Sequence, residues 1–353
     1  MRRYWARPGH AILPLMLATG LTASAPFPDA QNMTTGKAAP PTRVPSHIFI
    51  SGHSLTEQPY PEMLGTVFAQ TGQTVRIDTA NRFGTSIKDR LSATNPSLSP
   101  PTVPNHADTM IVAEQHSLID NLVWNDSVQS LRAMHDRFIA GNPTGQSFLF
   151  TAWLGVDAAR AGRWIEFERE AAPVWECLAR RVNMTLEADG RTDRIGVIPT
   201  AVALANLVAM ASAVHVPGVA NADTDRALAT LLEDDVHPTP TGAYYAALVT
   251  HAWLGNGPPP AEQPADGIPL AAQQSLPPIA DRFVREYRLT MQPMSMQACR
   301  DYLRQEFIGQ YLRYIRPTYA NQGLKGQIRW FRHRIEWAIL FGRNSPRNPF
   351  FQR

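Results

Sequence analysis

Short apolar runs recur between residues 47 and 199, and segments of helical periodicity fill the intervals between them. Runs of strand length occur at 47–51, 74–78, 109–114, 147–153 and 194–199, and in the second Val75 and Ile77 alternate with polar neighbours. Leu64, Val67 and Phe68 share one face of a predicted helix. Val128, Leu131, Met134 or His135, and Phe138 share another, which Gly141 and Pro143 end. A third helix is predicted from about Arg163 to Val182 with Pro173 as a candidate kink, and a fourth from about Thr241. Five buried strands with helices between them predict an α/β fold with a parallel sheet covered on both faces. In such sheets, sites form beyond the carboxyl ends of the strands.

Breaker-rich stretches divide the chain. A Pro-rich insertion, TNPSLSPPTVPNH, occupies 94–106, and NGPPPAEQPADGIP at 256–269 separates the α/β region from a tail. The tail predicts two helices. One spans about 296–315, with Cys299, Leu303, Phe307, Tyr311 and Ile315. The other spans about 324–341, with Leu324, Ile328, Phe331, Ile335 and Ala338. At the other end, Arg2, Arg3 and Arg7 precede the apolar run 11–18 and the small residues Ala23-Ser24-Ala25, the pattern of an export signal. The expected organisation is a signal peptide at 1–25, a linker at 26–45, and an α/β domain at 46–255. A Pro-rich linker at 256–279 and a basic helical extension at 280–353 complete it. The expected compartment is the periplasm, with an uncleaved N-terminal anchor as the alternative. There, Cys177 and Cys299 are either a disulfide or two separate thiols.

Charge refines this picture. The 353 residues carry a net charge of only +3, and 44% are hydrophobic, enough for a sizeable core. From Asp281 onward there are 14 Lys/Arg against 5 Asp/Glu, whereas the first 280 residues hold 19 against 25. The basic character belongs to the tail, and no nucleic-acid partner is expected. Tail arginines interleave with aromatic residues, which leaves three readings. They are a helical pair packed on the body, an interfacial segment for anionic lipid, or a sugar-binding surface.

Two stretches carry candidate chemistry. HIFISGHSLTEQ, residues 47–58, ends a strand on Ser51-Gly52-His53-Ser54, and LLEDDVHPTPTG, residues 231–242, places Asp234 three residues before His237. A hydroxyl needs a base to become a nucleophile near neutral pH. An imidazole needs a carboxylate on its other nitrogen to fix its tautomer and steady its positive charge. One Asp-x-x-His turn supplies both partners.

These two blocks resemble those of the SGNH, or GDSL-type, hydrolases over roughly residues 46–255, with His53 where that family has aspartate. The resemblance implies a three-layer α/β/α sandwich with a mainly parallel, flavodoxin-like sheet. It implies Ser54 as nucleophile, His237 as general base and Asp234 as its orienting acid; Asp235 is a competing carboxylate with the wrong spacing. Backbone N–H groups of Ser54 and Gly84 are the expected oxyanion donors, although Gly84 also reads as a simple turn glycine. The third block departs from the family. Glu114-Gln115-His116-Ser117 stands where Gly-x-Asn-Asp is usual, so the third donor falls to His116 or Gln115, with His116 preferred. Asn125-Asp126 reads instead as a helix cap, with Asp126 and Gln129 spaced like a capping box. No metal or other cofactor is expected.

Together these features predict an exported serine esterase that removes acyl groups, O-acetyl above all, from an extracellular polysaccharide such as an exopolysaccharide or cellulose. Membrane-associated machinery of polysaccharide synthesis or acylation would be its partner. The alternatives are an acyltransferase that acetylates such a polymer, and a catalytically idle accessory scaffold.

Overall fold

The sheet has five parallel strands in the order β2-β1-β3-β4-β5. They are β1 (His47–Ser51), β2 (Arg76–Thr79), β3 (Thr109–Ala113), β4 (Gln146–Phe150) and β5 (Ile195–Ile198). The computed structural model describes residues 44–92, 104, 106–156, 161–220, 223–255, 257–258, 265–342 and 348–351. The expected signal peptide, nearly all of the linker after it, most of the 94–106 insertion, and Arg343 and Arg347 lie outside these residues.

Alternation along each strand sorts the core into two layers. Ile48, Ile50, Ile111, Phe148, Phe150 and Ile198 face one side of the sheet. There they meet α1 (Tyr60–Gln70), α6 (Thr200–Ala213), α7 (Thr224–Leu231), α8 (Pro240–Trp253) and α9 (Leu270–Thr290). Phe49, Met110, Val112, Leu149, Ile195 and Val197 face the other. That side is covered by α2 (Ile87–Leu91), α3 (Leu118–Trp124), α4 (Ser127–Gly141) and α5 (Ala161–Ala188). The result is the expected α/β/α sandwich. All five predicted strands are present within two or three residues. Pro173 lies inside α5, which runs through it without a break.

The tail is layered on the second face. It comprises α10 (Met296–Tyr302), a π-helical turn at Leu303–Phe307, α11 (Ile308–Ala320) and α12 (Gly323–Gly342). Cys299, Leu303, Phe307, Tyr311 and Trp337 are buried in that core, and a disulfide joins Cys299 to Cys177 of α5. Both predicted tail helices are present.

Two expectations need correction. Residues 270–279, assigned to a linker, form the first half of α9. Ala272, Leu276, Ala280, Val284 and Tyr287 make a buried stripe, and that burial outweighs the helix penalty of Pro277 and Pro278. The capping box at Asp126 does not form either. Asp126 has φ 48° and makes no side-chain cap bond; its carboxylate instead accepts from Lys88 Nζ at 2.6 Å.

Candidate active site

In the order β2-β1-β3-β4-β5 the chain reverses direction of winding between β1 and β3, and ligands bind at such a switch point beyond the carboxyl ends of the strands. Ser54 follows β1 by three residues and His116 follows β3 by three. The two blocks therefore flank the switch point.

The β1 exit is tightly built. A Cβ on Gly52 would lie 1.9 Å from Thr56 Oγ1, so only glycine lets the chain turn there. Ser54 opens a short 3₁₀ turn, Ser54–Thr56, closed by Thr56 N–H donating to His53 O at 2.9 Å. His53 uses one ring nitrogen within this turn and the other on the end of β3. Its Nδ1 accepts from Leu55 N–H at 3.5 Å, and its Nε2–H donates to Glu114 O at 3.0 Å. Burial, with the nearby Arg90 charge adding to it, pushes the imidazole down to about 3. His53 is a neutral brace rather than a proton carrier, and its ring ties the end of β3 to the Ser54 turn.

The second block is a narrow loop. Glu233 N–H donates to His237 O at 2.8 Å and Thr239 N–H to Leu231 O at 3.0 Å, with a bridge between Leu232 and Pro238. Inside it, Asp234 Oδ1 accepts the backbone N–H groups of Val236 at 2.8 Å and His237 at 2.7 Å. Asp234 Oδ2 faces His237 Nδ1 at 2.7 Å. Partial burial opposes ionisation, but the hydrogen bonds from the His237 backbone, the imidazole and Val236 outweigh it and hold the carboxyl down at about 2. A carboxylate can only accept, so Nδ1 carries the proton and Nε2 presents a lone pair. Asp234, not Asp235, faces the ring. Asp235 supports the loop through its backbone, where its carbonyl accepts Val156 N–H at 2.6 Å, while Trp153 Nε1 donates to Val236 O at 2.7 Å. The β4 exit thus props the His237 loop from below. Tyr314 of α11 donates to Gly155 O at 2.7 Å, so the tail in turn holds the β4 exit.

Contacts place both blocks at one rim. The His237 ring stacks on Phe83, with centroids 5.9 Å apart and planes 20° apart. Arg82, next to Phe83, donates its N–H to Gly52 O at 3.0 Å, two residues before Ser54. Asn81 exchanges hydrogen bonds with Thr56. The His53 and His116 rings meet edge-on at 6.5 Å, and both lie near enough to His237 that a positive charge there would disfavour one on either of them.

The expected oxyanion groups sit around this rim. Gly84 has φ +68°, is exposed, and lies in the turn where Thr85 N–H donates to Arg82 O. Its left-handed backbone accounts for the glycine by turn geometry alone. His116 is half-buried, and burial lowers its pKa, which favours a neutral ring able to donate one N–H. Gln115 is committed elsewhere: its N–H donates to Glu114 Oε1 at 2.8 Å and its carbonyl accepts Asn121 Nδ2 at 2.8 Å.

Sequence reasoning missed the pair that underlies the site. Arg90 of α2 is fully buried and donates to Ser51 Oγ at 3.1 Å, to Thr85 O at 2.9 Å and to Ala113 O. It thereby clamps the ends of β1 and β3 to the Gly84 turn. Near it lies Glu114, also fully buried; burial pushes its carboxyl pKa up against the opposing pull of Arg90, and its oxygens accept from Ile87 N–H, Gln115 N–H and Ser127 Oγ. Among the described residues, no group of three or more His, Cys, Asp or Glu could hold a metal ion.

No family model matches the chain, and no curated protein does. Among solved structures, a DUF4886 family protein from Bacteroides uniformis is 14% identical over 70% of this chain and 97% of its own, with a TM-score of 0.46. A candidate SGNH hydrolase from Slackia heliotrinireducens is 19% identical over 58% of this chain and 96% of its own, with a TM-score of 0.34. A two-domain esterase active on acetylated mannans is 13% identical over 59% of this chain and 48% of its own, with a TM-score of 0.35.

Proposed function

We propose that the chain is a serine ester hydrolase with Ser54 as nucleophile, His237 as general base and Asp234 as its orienting acid. The observation that carries this reading is the 2.7 Å contact of His237 Nδ1 with an ionised Asp234, in a loop that stacks against the segment bonded to the Ser54 turn. Ser54 Oγ attacks the ester carbonyl while His237 Nε2 takes its proton. The same imidazolium then protonates the departing alkoxide. Water activated by the freed Nε2 clears the acyl group, which leaves as a carboxylic acid. Ser54 N–H, Gly84 N–H and the His116 ring are the proposed oxyanion donors.

The substrate we favour is an O-acetylated polysaccharide outside the cytoplasm. The rim supports it: Asp234 and His237 side chains are 51% and 32% exposed, and Phe83, at 76%, offers an aromatic ring beside the base. An open site with an exposed ring accommodates an internal residue of a polymer, which an enclosed pocket would not. The export signal and the link to membrane-associated synthesis or acylation machinery belong to the same proposal.

Labelling with a fluorescent organophosphonate, alongside turnover of p-nitrophenyl acetate and of an acetylated polysaccharide, tests it. Wild type should label and turn over, Ser54→Ala should do neither, and His237→Ala should lose turnover by several orders of magnitude. Equal activity in all three would refute the assignment. An acyl-Ser54 that persists in water but discharges onto added sugar would instead identify a transferase. Failure of folded wild type to label would indicate an idle scaffold.

A further inference from the structure

Helix α12 turns an apolar stripe outward. Leu324, Ile328, Phe331, Ile335 and Ile339 are 73%, 62%, 56%, 45% and 53% exposed, and their spacing of three or four residues puts them on one face. Gly326, Trp337 and Phe341 are buried on the opposite face, where Trp330 Nε1 donates to Leu312 O at 3.1 Å. The helix is anchored by one side and leaves the other open along nearly its whole length. Large apolar residues scattered singly over a surface are ordinary, but five in register are not.

Charge indicates what the stripe meets. Lys325, Arg329 and Arg332 run along one flank, and Arg334 lies on the other, its guanidinium 5.7 Å from the Trp330 ring centre. All four are exposed, and the sole acid of α12 is Glu336, which Arg332 engages at 2.7 Å. An apolar face bordered by cations is the pattern of a helix lying in the plane of an anionic bilayer. Its hydrophobic residues enter the acyl boundary, and its lysines and arginines reach the headgroups. A self-pairing face would set these cations against those of a second copy, and charge disfavours that. No helix among the described residues is long and apolar enough to cross a membrane.

We infer that α12 docks the protein flat on an anionic phospholipid surface through Leu324, Ile328, Phe331, Ile335 and Ile339, steered by Lys325, Arg329, Arg332 and Arg334. This inference is independent of the catalytic reading. The tail also connects to the site, through Tyr314 and Gly155, so docking would hold the His237 rim at a fixed height above the bilayer.

Both described cysteines are in the disulfide, so a single engineered cysteine can be labelled selectively. The full chain carrying Ile335→Cys is modified with an environment-sensitive nitrobenzoxadiazole dye. It is then mixed with vesicles of phosphatidylcholine containing one third phosphatidylglycerol, and with vesicles of phosphatidylcholine alone. We expect a blue shift and a several-fold rise in emission on the anionic vesicles only, reversed by 0.5 M salt. The shift should vanish in an Ile328→Glu/Phe331→Glu background whose circular dichroism is unchanged. Replacing Arg329 and Arg332 by glutamine should weaken association about 25-fold, at about fivefold for each basic residue near an anionic surface. The reading is overturned by no response to anionic vesicles, by an equal response to neutral ones, or by a blue shift already present without lipid. The last of these would mean that a second copy, or another part of the chain, covers the stripe.

Discussion

Replacing Asp234 by asparagine tests the proposed dyad more sharply than deleting it. The backbone N–H groups of Val236 and His237 both donate to Oδ1, at 2.8 and 2.7 Å. Those donors fix the orientation of an asparagine side chain, because its carbonyl oxygen must face them. The amide nitrogen is then forced into the place of Oδ2, 2.7 Å from His237 Nδ1. Two N–H groups cannot point at each other, so Nδ1 must become the acceptor and the imidazole proton moves to Nε2. The lone pair that would take the Ser54 proton is lost.

Two effects add. The carboxylate is 51% exposed, so its attraction for the imidazolium is screened. At a separation of about 4 Å and an effective dielectric between 20 and 80, the interaction is worth about 1–4 kcal/mol, and the exposure favours the lower half. Tautomer inversion comes on top, and in triads of this type the combined loss reaches about 10⁴ in kcat. We therefore expect Asp234→Asn to lower kcat/KM for p-nitrophenyl acetate by about three orders of magnitude or more. Asp234→Ala, which leaves the ring free to choose its tautomer, should lose less. The assay is initial-rate hydrolysis between pH 6 and 9, with urea unfolding to verify the fold. If Asp234→Asn retained more than a tenth of wild-type kcat/KM, or exceeded Asp234→Ala, the orienting role would be wrong.

Two further outcomes concern the frame around the site. Unfolded His53 protonates as the pH falls through about 6.5, whereas the folded imidazole resists until about 3, so its contribution to stability is complete above pH 6.5 and is lost as the pH falls toward 3. Over that span the loss is on the order of 5 kcal/mol. His53→Gln should be less stable at pH 8, by about 1–3 kcal/mol for hydrogen bonds left unmade, yet decline less steeply in acid; parallel urea-unfolding curves from pH 8 to 4 would contradict the assignment. The Cys177–Cys299 bridge closes a 122-residue interval, and chain entropy sets its contribution at about 4–5 kcal/mol at most. Cys177→Ala/Cys299→Ala should lower the unfolding free energy by about 2–4 kcal/mol, and dithiothreitol should do the same to wild type but not to the variant.

Much of the fold is legible in the sequence because burial on both faces leaves a simple trace. A parallel strand under two helical layers is apolar throughout, and β1 and β3 are buried at every position. β2, at the sheet edge, is half-exposed, and it starts two residues later than its apolar pattern predicts. Helix α9 is hidden for a different reason. Its two prolines are the strongest local breakers, whereas the stripe that overrides them is rewarded by α8 and, at Tyr287, by Ala172 of α5 and Val202 of α6, which the sequence does not show to be adjacent. The disulfide shares that obscurity: two cysteines permit a bridge, but only the packing of α10 on α5 brings them together.

The Asp234–His237 pair is readable because a three-residue spacing within one loop nearly dictates its geometry. Arg90 and Glu114 are not, and the cause is general. Each would read as a solvated charge on its own segment, since nothing local distinguishes an arginine that ends in water from one that reaches three carbonyl and hydroxyl oxygens. The same reasoning bears on the third block, where the family has Gly-x-Asn-Asp and Glu114-Gln115-His116-Ser117 stands. Glu114 is not a degraded motif position. Its carboxyl accepts two backbone N–H groups and Ser127, and its backbone carbonyl accepts from His53. His53, too, stands where the family has aspartate. The His53 ring thus bonds the backbone carbonyl at the end of β3, while the Glu114 side chain serves the α2 and α4 N-termini. Neither residue could be read from its own segment, because each finds its partners on elements distant in the sequence.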